Sequence, residues 1–431
     1  MGWLRRSSTQ TFAVVAALLV AIAPLAWTPR SAAAPKVALT FWTTTATTAT
    51  DFSDLLAEFE RQHPDISVTA EYMGGYDDMA QKVLAAIAGH HVPDVAQLGQ
   101  RWGIPQMADG GALVPIQTFL AAADRADVLP ALWDRFTYKG TAWVMPFNVS
   151  TPSLWYNRDA FQAAGLDPNA PPQTWEALLQ DARTLTRPAA GSSAAAQWGF
   201  ATAADSPWYF LAMVWQAGGT VVGRDGSVNL TSPQAVRVLQ VWHDLVYVQK
   251  AMPPAGHKTA EDDFTAGRVA MLFSSVAARG DYQRKVGSRF TLGDAFLPGD
   301  KTHAVGIGGN ALGIFRTTPE RERAAWTLVQ FLTDADNTAA YSMRTGYVPV
   351  RRSALSRPGF VTFLNQNPIA RVGIDQLKYL HGQPMNPADA VIWNGLVQVL
   401  EQAETSPTLD PRQALGDLQG QVAAYLRTYR P

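Results

Sequence analysis

Cysteine is absent from all 431 residues, so no disulfide can staple this chain and no thiolate can act as nucleophile or metal ligand. Its stability must come from core packing. Acidic side chains are missing from residues 1–34. Beyond that segment no apolar run approaches the about 20 residues of a membrane span. A basic excess is missing too. With Arg5, Arg6 and Arg30 set aside, 32 basic residues face 36 acidic ones, a net of −4 before histidine. That balance lacks the basic stripe of a nucleic-acid binder. Enzyme signatures are equally thin: there is no P-loop, no HExxH and no GxSxG. The run Gly306-Ile307-Gly308-Gly309-Asn310-Ala311 fits GxGxxA in letters, but 311–315 reads as a strand rather than the helix a dinucleotide needs. His90-His91 and Glu261-Asp262-Asp263 lack metal-ligand spacing and read as exposed helix ends. A glycosidase needs two carboxylates about 5–10 Å apart, and nothing singles out Asp109 or Asp205 for that role. No catalytic residue, metal or cofactor is expected.

What is present begins with an export signal over 1–34. Arg5 and Arg6 form a positive n-region, 12–27 an apolar stretch, and Ser31-Ala32-Ala33-Ala34 a small-residue cleavage zone. Its sixteen apolar residues, containing Pro24, are short for a span. With no lipobox cysteine, the expectation is a free periplasmic or extracytoplasmic protein, or one held at the membrane by an uncleaved signal. The 397 residues that follow exceed what one core usually supports, so two lobes are expected.

After the signal, strand-like and helix-like patterns alternate. Residues 37–42 read as a buried strand, 52–61 as a helix with apolar positions 52, 55, 56 and 59, and 66–72 as a strand. A helix over 76–88 and a strand over 94–98 complete a parallel sheet with helical crossovers. In such sheets ligands sit at the strands' carboxyl ends, near 42–45, 72–76 and 98–102. Helices are then expected over 173–186, 207–217, 233–248 and 260–266, with strands over 269–274 and 290–296. Residues 187–196 (RPAAGSSAAA) read as a low-complexity surface loop.

One segment carries more than the rest. Residues 146–178 read PFNVSTPSLWYNRDAFQAAGLDPNAPPQTWEAL, an extended run broken by Pro146 and Pro152 and followed by a short helix stopped at Gly165. It resembles the first interlobe crossing of family 1 extracellular solute-binding proteins, which serve ABC importers. A second likeness is TGYVPVR over 345–351, continued by NPIARVGIDQL over 367–377. The resemblance implies an α/β, two-lobed periplasmic-binding-protein fold (type II, maltose-binding-protein-like) with a ligand cleft between the lobes. The chain would cross three times, giving 35–147 plus 304–345 as lobe I and 148–303 plus 346–431 as lobe II. It also implies a membrane ABC permease as partner, a monomer, and no nucleic acid.

Twelve tryptophans follow the signal segment, and an indole face is a flat apolar platform for a sugar whose edge N–H stays free to donate. Trp42, Trp102 and Trp208 stand out at strand ends or a helix start, whereas Trp175, after two prolines, reads as packing. By resemblance, Tyr76 matches a ligand-contacting tyrosine, the alternative being a hydrophobic staple. Ser150 matches a ligand-binding serine, the alternative being a turn hydroxyl bonded to its own backbone. Ser274 and Ser275 lie in the likeness of a serine-rich pocket loop, though the family's second pocket serine falls on Ala277 or Ala278. Gly308 and Gly309 match a diglycine whose amides approach the ligand, and Tyr347 matches the third-crossing tyrosine. Gln100 stands where glycerophosphodiester binders carry a carboxylate, and 384–390 lacks the arginine that branch uses for phosphate. Arg279 could substitute, the alternative being a solvated surface arginine. These departures favour a neutral or weakly charged sugar, within the wider class of carbohydrates and polyols. A glycerophosphodiester or glycerol-3-phosphate receptor is the second reading, and an exported glycan-active hydrolase is the reading of another class.

Overall fold

The computed structural model describes residues 36–45, 50–99, 103–188, 195–204 and 206–430. The signal segment 1–34, Gln100, Trp102 and Asp205 lie outside the described residues. Residues 36–431 form one compact unit built on two sheets, each against its own hydrophobic core.

In the first sheet, Val37–Thr43 pairs in parallel with both Ile66–Tyr72 and Val95–Gly99. The helices Thr50–Gln62 and Tyr76–Ala88 make the connections. Spacing explains the first of these, because Phe52 and Phe59 recur on one face and both are buried. The sheet is not parallel throughout. Gly308–Phe315 returns from far along the chain and lies antiparallel between Val95–Gly99 and Val144–Ser150.

The second sheet runs in the order Leu292–Ala295, Pro152–Asn157, Val269–Ser275, Ala195–Thr202, Arg187–Pro188. Its core is closed by helices, among them Ser206–Gln216, Pro233–Tyr247, Asp389–Thr405 and Pro411–Thr428. Every residue of Ser206–Gln216 is buried, as expected of a helix apolar on all sides. The segment read as a loop over 187–196 is structured at both ends, where Arg187–Pro188 pairs antiparallel with the start of Ala195–Thr202.

The extended run of 146–157 is two strands. Val144–Ser150 belongs to the first sheet and Pro152–Asn157 to the second, with Thr151 between them. Proline is tolerated at the start of the new strand, where no ladder donor is needed. Asn157 then caps Arg158–Ala163, its Oδ1 accepting from Ala160 N at 2.9 Å. A later segment returns to the same place, with Val348 N donating to Val149 O at 2.8 Å. Among the described residues no helix is long and apolar enough to cross a membrane.

Candidate functional site

Trp208 anchors the best-defined cluster of candidate residues. It sits in the first turn of Ser206–Gln216, 5 % exposed. A Cβ added to Gly306 would stand 2.7 Å from its Nε1, and one on Gly308 would stand 2.5 Å from its ring and 2.8 Å from Ser150 Oγ. The indole therefore lies against bare backbone at 306–308, and side chains there would displace it. That is the physical use of the glycines whose spacing imitates a dinucleotide fingerprint. The indole Nε1 is buried without a hydrogen-bond partner. Trp215, two helical turns on, also approaches Gly306 and lies against His381, with ring centroids 4.5 Å apart and the planes tilted by 33°. His381 is brought there by Leu380–His381, which pairs in parallel with Val305–Gly306.

Ser150 is directly opposite Gly308 in the ladder. One step further the register shifts: Gly309 pairs with Val149, but Ala311 pairs with Pro146. Phe147 and Asn148 thus face Asn310 alone, which is a β-bulge. Gly309 has φ +91°, and a Cβ there would fall 1.5 Å from the carbonyl oxygen of Asn148, so only glycine fits. Asn148 and Asn310 are each 1 % exposed, and each has a side-chain carbonyl oxygen without a partner.

The carboxyl ends of the first sheet's strands are organised by Gln97, which is fully buried. Its Oε1 accepts from Thr43 Oγ1 at 2.8 Å and from Thr44 N at 2.7 Å. Trp42 is half-buried there, and its Nε1 donates to Glu71 on the neighbouring strand at 3.1 Å. Tyr76 is the first residue of its helix, directly after the N-cap Gly75, and packs partly buried against the first core. Tyr347 is held by Tyr341, whose ring stacks on it at 6.1 Å, and Asn148 Nδ2 donates to the Tyr341 hydroxyl at 3.5 Å.

Ser274 and Ser275 end the strand Val269–Ser275, and each makes side-chain hydrogen bonds of its own. The Ser274 hydroxyl donates to Glu261 at 3.2 Å and accepts from Tyr282 at 2.7 Å, beside a satellite core that contains Leu272 and Tyr282. Ser275 Oγ accepts from Ala277 N and caps the turn that follows. Trp175 packs, its Nε1 bound to Gln216 at 2.8 Å.

Arg279 fits neither of its two readings, because it is buried and already engaged. Its Nη2 donates to the carbonyls of Ser342 and Met343 at 3.2 and 2.7 Å, and its guanidinium lies over Phe363. It closes the end of Ala335–Thr345, next to Gly346 and Tyr347. The segment 384–390, which has no arginine of its own, receives one from a distance. Arg135 is buried with Nη1 3.1 Å from the Gln383 carbonyl and 3.9 Å from Asp389 Oδ2. Burial pushes Asp389 up to about 6 against the pull of Arg135, and lowers Arg135 to about 10. Sequence gave no signal of this pair. Asp109 is likewise occupied: Tyr138 and Tyr429 each donate to it at 2.8 Å and Lys139 at 2.7 Å. Burial opposes its charge, yet these donors hold its carboxyl below the usual carboxylate range. Among the described residues, no three His, Asp or Glu side chains gather to hold a metal.

Residues 45–339 match the family described as bacterial extracellular solute-binding protein. The sn-glycerol-3-phosphate-binding periplasmic protein UgpB of Yersinia enterocolitica is 27 % identical over 350 residues, covering 76 % of this chain and 77 % of that one. The protein of the same name from Brucella melitensis is 26 % identical over 327 residues, covering 73 % and 75 %. Among solved structures, UgpB from Mycobacterium tuberculosis in complex with glycerophosphocholine superposes with a TM-score of 0.80 at 27 % identity, over 90 % of this chain and 98 % of that one. A solute-binding protein of an ABC transporter from Thermotoga lettingae, bound with α-D-tagatose, gives 0.78 at 22 % identity over 91 % and 100 %, which speaks to the fold alone.

Proposed function

The chain belongs to the bacterial extracellular solute-binding protein family, and from that premise we propose that it captures a neutral sugar or polyol and hands it to an ABC permease. Trp208 carries the reading. A buried indole laid against the bare backbone of Gly306 and Gly308, with its Nε1 beside Gly306 and unpaired among the described residues, offers an apolar face and a donor together. We assign 35–147 with 304–345 to one lobe and 148–303 with 346–431 to the other, the cleft lying between them. Trp42, Tyr76, Gln100, Trp102 and Tyr347 would complete its walls around Ser150 and the Gly308–Gly309 backbone. Release is of an unmodified ligand, without catalysis or cofactor, from a monomer outside the cytoplasm.

A glycerol-phosphate or glycerophosphodiester ligand is the second reading, favoured by the UgpB relatives. Against it, Arg279 is bound to backbone carbonyls, and Arg135 faces a carboxylate. A thermal-shift screen separates the two. The proposal expects stabilisation by members of a panel containing maltotriose, mannotriose and D-tagatose; stabilisation only by glycerol 3-phosphate or glycerophosphocholine would reverse the order.

A further inference from the structure

The β-bulge beside Ser150 holds two side-chain carbonyl oxygens without a partner among the described residues. Asn148 is one of the two bulged residues, and Asn310 is the single residue facing them. Both are 1 % exposed, and the Oδ1 of each is buried without a partner. The neighbouring Gln97 shows the contrast, since its oxygen accepts from two threonines. A buried acceptor with no donor is costly, and such groups persist where a ligand completes them. The location agrees. Bulges re-aim side chains next to binding sites, and this one adjoins the Gly308 and Ser150 positions against which Trp208 is laid.

We infer that Asn148 and Asn310 form the pair that selects ligands by hydroxyl donation, a step that rests on the sugar or polyol reading above. The argument is one of complementarity. An ionised phosphate group has only acceptors, so the two carbonyl oxygens call for ligand hydroxyls, whether those of a sugar or of a glycerol moiety. A sugar hydroxyl can donate to either carbonyl oxygen, and a second hydroxyl can accept from Trp208 Nε1. A site built to bond a hydroxyl rejects an analogue lacking it far more strongly than an apolar pocket does.

Calorimetric titration of the full chain with maltotriose, mannotriose, D-tagatose, glycerol 3-phosphate and glycerophosphocholine is the test, run on the wild type, Asn310→Leu and Asn148→Leu. The expected result is a wild type that takes a sugar, and leucine variants that bind that sugar at least tenfold more weakly. Their ligand-free melting temperatures should stay level or rise, because an unsatisfied acceptor has been removed. The melting temperature separates selection from scaffolding: a variant that loses both stability and affinity marks a structural asparagine and overturns the inference. Unchanged sugar affinity in both variants overturns it as well, while leaving the sugar reading intact. A wild type that binds only the two glycerol phosphates, or no member of the panel, contradicts the sugar reading itself. Should one leucine variant fail to fold, the other decides.

Discussion

A single methyl group at residue 308 is the smallest probe of the cleft. In Gly308→Ala the new Cβ would stand 2.5 Å from the Trp208 ring and 2.8 Å from Ser150 Oγ, so the indole must move. Affinity for the best-bound sugar should fall at least tenfold, about 1.4 kcal/mol, while overpacking against the core indole should cost about 1–3 kcal/mol of stability. Calorimetry and a melting curve on the same sample read both. Trp208→Ala is less clean, because the ring belongs to the second core and its truncation also removes about 3–5 kcal/mol of packing. The places of Trp208 and Ser150 in the fold were legible in the sequence because a helix start and a broken strand advertise themselves. The bonding of Ser274 to Glu261 and Tyr282 was not. Its strand, Val269–Ser275, is buried on both faces, and a continuous apolar run does not say which face an individual side chain takes. That Asn148 and Asn310 face each other was not readable for a related reason: a bulge reverses the alternation that sequence reading relies on.

At the scale of elements, the helix Asp389–Thr405 is tied to the rest of its core by a buried carboxylate. Glu404 is fully buried; its oxygens meet Trp242 Nε1 at 3.1 Å and His257 Nδ1 at 2.7 Å. The hydrogen bond to Glu404 raises the His257 pKa above its ordinary value, against the effect of burial. A group raised on folding stabilises fully below its unfolded pKa of about 6.5, and loses that contribution as pH climbs through the folded value. Urea unfolding should therefore show stability declining from pH 6.5 upward, and His257→Gln should flatten that slope. An unaltered slope in the variant would mean that the pair is not the cause. Arg279 is a second tie between distant elements. Arg279→Met leaves the carbonyls of Ser342 and Met343 without their donor and should cost about 1–3 kcal/mol in the same assay. Element boundaries were readable where periodicity was strong: the expected 66–72 and 76–88 agree with Ile66–Tyr72 and Tyr76–Ala88. The antiparallel return of Gly308–Phe315 into the first sheet was not readable, since its partners lie some two hundred residues away.

On the scale of the whole molecule, two cores share one chain, and the proposed function requires them to open and shut around a guest. Besides the crossings, Arg135 and Asp389 join them. Arg135 lies on Pro130–Phe136, which packs on the first core, and Asp389 opens a helix of the second. Arg135→Met would strand a buried carboxylate and should destabilise by about 3–5 kcal/mol, readable by urea unfolding. Shifting the population from 1:99 to 99:1 closed requires the ligand to favour the closed state by about 5.5 kcal/mol. Micromolar binding corresponds to about 8 kcal/mol, so closure is within reach of an ordinary sugar affinity. Small-angle scattering, with and without the best-bound sugar, puts that claim to the most direct trial. A radius of gyration that shrinks on saturation, with the sugar recovered intact, is the result this account requires. A radius that stays the same, or a sugar recovered as a product, would contradict it.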